Sequence, residues 1–528
     1  MTTSPPKTED ELVYSKSQVE RLVADVTMPL YAQIQWLKEQ LKLAARRQYG
    51  ASSEKTPIGQ EVMVFNEAEE AAVPDAPEPT TETVTCSRRK TVGQRQQQLE
   101  NLPVEEVYYR LPEDNMNCPH CNSSLHEIGA DSTDELTIVP AVVKVVRHHH
   151  VKYACRHCQQ HELTTPIVKA EAKTRAFPGS LASSSTVSYI ATLKFVDGLP
   201  LYRQEQMFKR IDVALTRQTM SNWMLAGSGW LEHIYRRLHH HLLQRTELHA
   251  DETELQVLKE PGRAATTKSY LWLYRSGRAG PPIVLYEYQP TRNSDHPRQF
   301  LARFTGSLHV DGYQGYNDLP GVTRIGCWAH ARRYFVEAVA VLPPLARNAG
   351  KTPSHEGLAY CNRLFAIERE LNDATAEERL AARRQKSKAV LDAFATWLDE
   401  HVDTVMPKSV LGKAITYCRK QWVSLNAFLQ DGNVEIDNNR AERSIKPFVI
   451  GRKNWLFANT PRGAKASAII YSIVETAKEN GLNPYLYLKL LFDELPNINV
   501  KDNNQLDSLL PWTEAVTRQC SLAANSNA

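Results

Sequence analysis

Three acidic residues, Asp251, Asp311 and Glu442, have the types and local settings of a divalent-metal site. Asp251 and Asp311 each follow a strand-like run, so both should project from a strand end, whereas Glu442 lies in a polar stretch that favours a helix. Mg²⁺ takes hard oxygen ligands, and a few carboxylates with substrate phosphate suffice. Two such ions (Mg²⁺, or Mn²⁺ in its place) roughly 4 Å apart clamp the attacking and leaving oxygens of a phosphodiester. The three acids therefore predict two-metal chemistry on DNA.

Other acids nearby compete for this role: Glu252, Glu254, Glu435 and Asp437. On a strand, Glu252 should alternate away from Asp251, and Asp437 is typical of a residue that caps a helix. A single Asp at a strand end is more often a turn or cap residue. The hypothesis therefore depends on all three acids falling where one catalytic core needs them.

A basic stretch with aromatic residues follows Glu442. The residues that we expect to contact DNA there are Arg443, Lys446, Arg452, Lys453 and Trp455. Basic side chains suit a phosphate backbone, and an aromatic ring can stack on an unpaired base. A solvated helix face with core aromatics is the alternative, and it stays open.

Residues 198–224 read as two helices joined by a short turn, with Thr216 capping the second helix, which is expected over 216–224. This pattern is typical of a helix-turn-helix whose second helix enters the major groove. The outer face of that helix would present Arg217, Gln218, Ser221 and Asn222. Helix pairs without DNA contact are also common, so both interpretations remain.

Two Cys-x-x-Cys pairs predict a structural Zn²⁺ site, whose ligands would be Cys118, Cys121, Cys155 and Cys158. Each pair forms a tight turn, and two such turns complete a four-sulfur site. The spacer between them is longer than in most zinc ribbons. A redox dithiol is the main alternative, disfavoured because two separate pairs are present.

From residue 246 the pattern predicts three strands, a helix, a fourth strand, and then a further strand and helix, followed by helices without a strand over 335–430. This is the order of a ribonuclease-H-like core with an all-helical insertion, in a multidomain α+β protein. The expected domains are a helical or coiled-coil region (1–65), an acidic then basic linker (66–100), a zinc module (101–170), a helical DNA-binding domain (171–243), the first part of the core (244–336), the insertion (337–430), the Glu442 helix with C-terminal helices (431–495), and a tail (496–528).

Length and composition predict an ordinary multidomain globular protein: 528 residues, 42% of them hydrophobic and 23% charged, with a net charge of +3. No apolar run approaches the roughly 18 residues of a membrane span, and the N-terminus lacks the pattern of a signal peptide. A cytoplasmic protein is expected. The N-terminal helix, interrupted at Pro29, fits either packing on its own chain or self-association as a coiled coil.

The motifs around these acids resemble those of the insertion-sequence-66 family of bacterial transposases. The resemblance is carried by the run 436–447 (Ile-Asp-Asn-Asn-Arg-Ala-Glu-Arg-Ser-Ile-Lys-Pro), its continuation at 451–457, and segments at 249–253, 310–313, 326–333 and 472–484. The N-terminal helix and the paired-cysteine module are also similar to the front half of that family.

The resemblance implies a transposase whose Asp-Asp-Glu triad falls on Asp251, Asp311 and Glu442, with a zinc module and helical DNA-binding segments. His330 and Arg332 lie in a family motif, but no chemical role follows for them. Such a protein would bind terminal inverted repeats, cleave element ends, and join the 3′-hydroxyl to target DNA. It would act at the nucleoid as at least a dimer, with accessory proteins of the same element. A zinc-containing regulator without catalysis, or a nuclease that does not join strands, is the alternative.

Overall fold

The computed structural model of the chain describes residues 34, 37, 38, 143–149, 151–154, 167–169 and 173–522. The four predicted zinc ligands, the predicted linker and Pro29 lie outside these residues, whereas the described residues 34, 37 and 38 of the predicted N-terminal helix are helical. The chain divides into two compact units, and residues 175–522 belong to the larger one. The smaller unit contains two antiparallel strands, β1 (Lys152–Ala154) and β2 (Ile167–Lys169).

Three helices precede the main sheet: α1 (Ser184–Phe195), α2 (Leu201–Lys209) and α3 (Arg217–Leu243). Thr216 caps α3 as expected, because its hydroxyl accepts a hydrogen bond from the Thr219 amide at 3.2 Å. The helix continues well beyond the run 216–224 that suggested it, since α3 runs for 27 residues. Apolar side chains at helical spacing, such as Leu231, Ile234 and Leu238, continue its buried face into the main core.

A five-stranded mixed sheet forms the centre of the larger unit. Its strands are β3 (Glu247–Gln256), β4 (Lys268–Ser276), β5 (Val284–Gln289), β6 (Gly306–Val310) and β7 (Val322–Gly326). They lie in the order β5-β4-β3-β6-β7; β3, β4 and β5 pair antiparallel, whereas β6 and β7 run parallel to β3. Helix α4 (Asp295–Phe300) separates β5 from β6. The strands and the helix follow one another in the order predicted.

The position of Asp251 differs from the prediction. Asp251 does not follow a strand: it lies within β3, which continues to Gln256. The reason is that β4 pairs with β3 along almost its whole length, from Leu248 opposite Ser276 to Gln256 opposite Lys268. Only the parallel pairing with β6 stops before Asp251. Asp311 directly follows β6, as expected.

Across residues 327–438, all of which the structure describes, the chain forms helices and no strand. These helices are α5 (Trp328–Ala340), α6 (Pro344–Ala349), α7 (Pro353–Glu370), α8 (Ala376–Ala382), α9 (Lys388–Val402), α10 (Val410–Lys420) and α11 (Trp422–Asn426). Apolar side chains of α5, α7, α9, α10 and α11, with those of β7 and the segment before residue 437, make a second hydrophobic core separate from that around the sheet.

The chain then returns to the sheet as α12 (Asn439–Trp455) and α13 (Pro461–Glu479). Helix α13 protects the edge strand β5, because Thr476 accepts a hydrogen bond from the Val284 amide (3.0 Å) and Ser472 accepts one from the Tyr286 amide (2.8 Å). Three further helices follow: α14 (Pro484–Glu494), α15 (Asn503–Asp507) and α16 (Glu514–Cys520). Every helix in the described part of the chain is too short or too polar to cross a membrane.

Candidate active site

The two aspartates lie beside each other on adjacent parallel strands. The pairing of β3 with β6 sets His249 opposite His309. Asp251 comes two residues later within β3, and Asp311 comes two residues later, directly after the end of β6. Because side chains alternate across a strand, both carboxylates project from the same face of the sheet. Asp311 Oδ1 accepts a hydrogen bond from the Tyr313 amide at 2.9 Å, which orients its side chain in the turn after β6.

Glu442 reaches the aspartates because the start of α12 is bound to β3. Asn438, which is buried, donates its side-chain amide to the carbonyl of Ala250 at 2.9 Å and accepts a hydrogen bond from His249 Nδ1 at 3.0 Å. Ala250 is the residue directly before Asp251. Glu442 follows one helical turn after Asn438, in the first turn of α12. The contact at Asn438 therefore brings strand and helix carboxylates to one place.

The electrostatics of Asp251 reflect this convergence. Burial raises the pKa of Asp251 well above its usual value, and the negative charges of Glu252, Asp311 and Glu442 raise it further. The negative charges of three other carboxylates therefore act on one buried carboxyl group. Their oxygen atoms are the donor set that hard divalent cations take, so the residues present fit a divalent metal ion.

Glu252 is engaged by other side chains. Its carboxylate accepts hydrogen bonds from Tyr316 Oη at 2.5 Å and from Arg292 Nε at 2.9 Å. Asp437 accepts from the Asn439 amide at 3.0 Å, at the start of α12, although the N-cap itself is Asn438.

Two residues of α5 face Glu442. His330 Nδ1 lies 3.6 Å from Glu442 Oε1, and Arg333 lies 3.6 Å from Glu442 Oε2. His330 and Glu442 also form, with Cys327, a group whose ligand atoms lie within 4.8 Å of one another. Arg332 points elsewhere, donating a hydrogen bond to Asn362 of α7 at 2.8 Å. The motif 326–333 indicated His330 and Arg332; Arg333 was not predicted, because no local signal separates it from Arg332.

The basic side chains predicted to contact DNA are divided between two helices. On α12, Arg443, Lys446 and Lys453 are exposed, whereas Arg452 is half-buried. Trp455 is also half-buried, and its ring packs edge-on against Phe448 with centroids 5.5 Å apart.

On α3 the predicted DNA-contacting residues are in the first turns. Arg217, Gln218 and Asn222 are exposed and Ser221 is half-buried. Gln218 donates a hydrogen bond to Asn222 at 3.2 Å, so these two side chains lie together on one face.

Four family models match successive parts of the chain, and they define its class as transposases, which are DNA-processing enzymes. They are described as "Transposase C of IS166 homeodomain" (residues 36–107), "zinc-finger binding domain of transposase IS66" (116–159), "Transposase IS66 family" (179–466) and "IS66 C-terminal element" (472–512). The third alone covers more than half of the chain. The chain therefore belongs to the transposase IS66 family, which confirms the resemblance found in its motifs. The zinc-finger match contains all four paired cysteines.

Full-length relatives occur in Sinorhizobium fredii (strain NBRC 101917 / NGR234). The uncharacterized protein y4jD is 31% identical over 525 residues, covering 95% of this chain and 97% of that protein. The uncharacterized protein y4qI is 29% identical over 527 residues, covering 96% and 93%. The similarity therefore extends over nearly the whole of this chain and of each of the two relatives.

Proposed function

We propose that this transposase cuts the ends of its mobile element and joins them to target DNA with Asp251, Asp311 and Glu442 as metal ligands. The observation that carries the proposal is the geometry of the acids. Asp251 and Asp311 each come two residues after a histidine of the β3–β6 pairing, and Asn438 holds the start of the Glu442 helix against β3. The strand order β5-β4-β3-β6-β7, with an acid on the central strand and one after its parallel neighbour, supports a ribonuclease-H-like core.

Two bound ions, Mg²⁺ or Mn²⁺, would supply activation of the attacking oxygen and stabilisation of the leaving one. Asp251 and Asp311 would hold them from the sheet, and Glu442 from α12. Water would displace the 3′-oxygen at the element end, freeing a 3′-hydroxyl. That hydroxyl would then attack a phosphodiester of target DNA in line and displace the 3′-oxygen of the target strand as the leaving group, so that no covalent enzyme intermediate is needed.

The remaining parts have proposed roles in holding DNA. The exposed residues of α3 would contact the inverted repeats, and Arg443, Lys446, Arg452 and Lys453 would contact phosphates near the metals; Trp455 would have to leave Phe448 to stack on a base. The paired cysteines would bind structural Zn²⁺. Residues 171–243, 244–336, 337–430 and 431–495 are proposed to form separate functional units. The protein would act as at least a dimer.

The test is the substitution Glu442→Gln, assayed on duplex DNA from the ends of the element that encodes this chain. Cleavage with Mg²⁺ should fall on the order of a thousandfold, because metal binding contributes several kcal/mol to transition-state stabilisation. Binding of the inverted repeat, measured by fluorescence anisotropy, should change little. The matched control is Glu254→Gln on β3, an exposed acid paired with Lys268, which should cleave normally.

Three outcomes decide between functions. Normal cleavage by the Glu442→Gln variant would remove Glu442 from the mechanism. Cleavage by the unmodified protein without strand-transfer products would indicate a nuclease. DNA binding by the unmodified protein without any cleavage would indicate a regulator.

A further inference from the structure

A second cluster of metal-binding side chains lies next to the acids, on the same face of the sheet. Glu247 and His249 precede Asp251 at alternate positions of β3, and His309 precedes Asp311 on β6. Glu247, His249 and His309 are buried, and their ligand atoms lie within 4.8 Å of one another. The two imidazole rings stack with centroids 4.2 Å apart and planes inclined by 9°, and an Nε2 atom of each faces Glu247.

The hydrogen bonds of His249 leave one ring nitrogen facing carboxylates. Asn438 donates its amide to Ala250, so its Oδ1 atom is the acceptor and His249 Nδ1 carries the proton. His249 Nε2 then faces Glu247 Oε1 at 3.7 Å and Glu435 Oε2 at 3.8 Å, and it makes no hydrogen bond. A buried nitrogen between two carboxylates needs a cation there, which is either a proton or a metal ion.

The distances favour a metal ion. A proton on His249 Nε2 would form a charged hydrogen bond of about 2.7–2.9 Å, which is shorter than the separations of 3.7 and 3.8 Å. Ligand atoms of one tetrahedral Zn²⁺, each about 2.0–2.1 Å from the ion, lie about 3.3 Å from one another. His309 Nε2 and Glu247 Oε1 are hydrogen-bonded at 3.1 Å, and a bound ion would replace that hydrogen bond. The observed separations therefore lie on both sides of the value that a zinc site requires.

The surroundings of the cluster hold its carboxylates in place. Oε1 of Glu435 accepts a hydrogen bond from Arg278 Nε at 2.7 Å and forms an ion pair with Arg440 Nε at 2.8 Å, which leaves Oε2 on the histidine side. A Cβ atom at Gly277 would lie 2.1 Å from Glu247 Oε2, so the carboxylate occupies space that only glycine leaves free. Two carboxylates would offset the charge of a divalent ion.

We propose that Glu247, His249 and His309 bind a structural Zn²⁺ ion, with water as the fourth ligand and Glu435 as a second carboxylate beside the site. This ion is separate from those proposed at the acid cluster and at the paired cysteines. Two imidazoles with carboxylates suit zinc better than magnesium. Asn438 would orient His249 from outside the ligand set. Because His249 and His309 lie two residues before Asp251 and Asp311, the ion would fix the spacing of the two strands that carry the aspartates.

The experiment uses the full-length protein, stripped with a chelator and then dialysed against Zn²⁺ alone. Elemental analysis counts the ions, and zinc X-ray absorption identifies their ligands. The unmodified protein should hold zinc bound by imidazole and oxygen, beside any sulfur-bound zinc. The double variant His249→Gln/His309→Gln should hold one zinc ion fewer per chain and lose the imidazole signal. The control His240→Gln, which changes an exposed histidine of α3, should retain both.

Two further variants separate the three metal sites. Cys118→Ser/Cys121→Ser should lose only sulfur-bound zinc, and Glu442→Gln should keep the imidazole-bound ion whether or not it cleaves DNA. Zinc with sulfur ligands alone in the unmodified protein would overturn the proposal, and this measurement needs no variant to fold. Imidazole-bound zinc that is lost in Glu442→Gln but kept in the double histidine variant would overturn it as well.

Discussion

Asn438 is the residue that joins the helix of Glu442 to the strand of Asp251. Its side chain makes two buried hydrogen bonds, to the carbonyl of Ala250 and to His249 Nδ1. It binds neither substrate nor a proposed metal, so it is a positioning residue. The position of Glu442 relative to Asp251 therefore depends on the neutral side-chain amide of Asn438.

Replacement of this amide tests the positioning role. Asn438→Ala would leave the Ala250 carbonyl and the His249 N–H buried without partners, at about 1–3 kcal/mol each. We expect a lower thermal unfolding midpoint and at least a tenfold loss of end cleavage. The control is Asn433→Ala, an exposed residue bonded only to Asp431, which should change stability by less than about 0.5 kcal/mol. Equal effects of the two substitutions would argue against this role.

At the scale of elements, helix α12 ends in a strained turn. Leu456 has φ 64° and ψ −49°, and the Phe457 amide bonds to the Trp455 carbonyl at 2.8 Å, which is a γ-turn of the rare positive-φ type. Leu456 is 64% exposed and Phe457 is 42% exposed, so burial does not account for two apolar residues here. The turn ends the basic helix beside Arg452 and Lys453, where DNA is proposed to bind.

A glycine at this turn should relieve the strain. A leucine with positive φ costs about 1–2 kcal/mol, whereas glycine adopts this conformation without a Cβ clash. Leu456→Gly is therefore expected to raise the free energy of unfolding by about 1 kcal/mol relative to Leu456→Ala, in which the Cβ atom remains. Urea denaturation of the two variants measures the difference. A glycine variant less stable than the alanine variant would show that the turn is not strained.

At the scale of the whole larger unit, two hydrophobic cores meet at the turn that carries Asp311. Tyr417 of α10 donates a hydrogen bond to the Asp311 carbonyl at 3.0 Å, and Gln421 donates one to the Gly312 carbonyl at 3.4 Å. Gly312 has φ +98°, a conformation that favours glycine. The helical insertion thus supports the second aspartate from outside the sheet.

Removal of one hydroxyl tests this support. Tyr417→Phe would delete the hydrogen bond to the Asp311 carbonyl, costing about 1 kcal/mol, and should lower end cleavage several-fold while DNA binding persists. Tyr360→Phe is the control, because Tyr360 stacks on Phe394 in the same helical block, away from Asp311. Loss of cleavage in both variants would point to a general weakening of the insertion.

Much of the fold could be predicted because its signals are local. Alternating and helical apolar spacing set the strands and helices in order, and the hydroxyl of Thr216 capped α3 as its position predicted. Two features of the fold lay beyond what local patterns can predict. Such patterns could not show that β4 would extend β3 past Asp251, or that the apolar face of α3 would continue to Leu243.

The sequence by itself determined the family and the order of the elements, because these depend on motifs and apolar spacing among neighbouring residues, and it predicted the three acids. Only the tertiary structure decided that Asn438 meets His249, that Arg333 faces Glu442, and that two histidines stack beside Glu247. These contacts join residues far apart in the chain, and they depend on the register of parallel strands and on where α12 returns to the sheet. No local pattern encodes either.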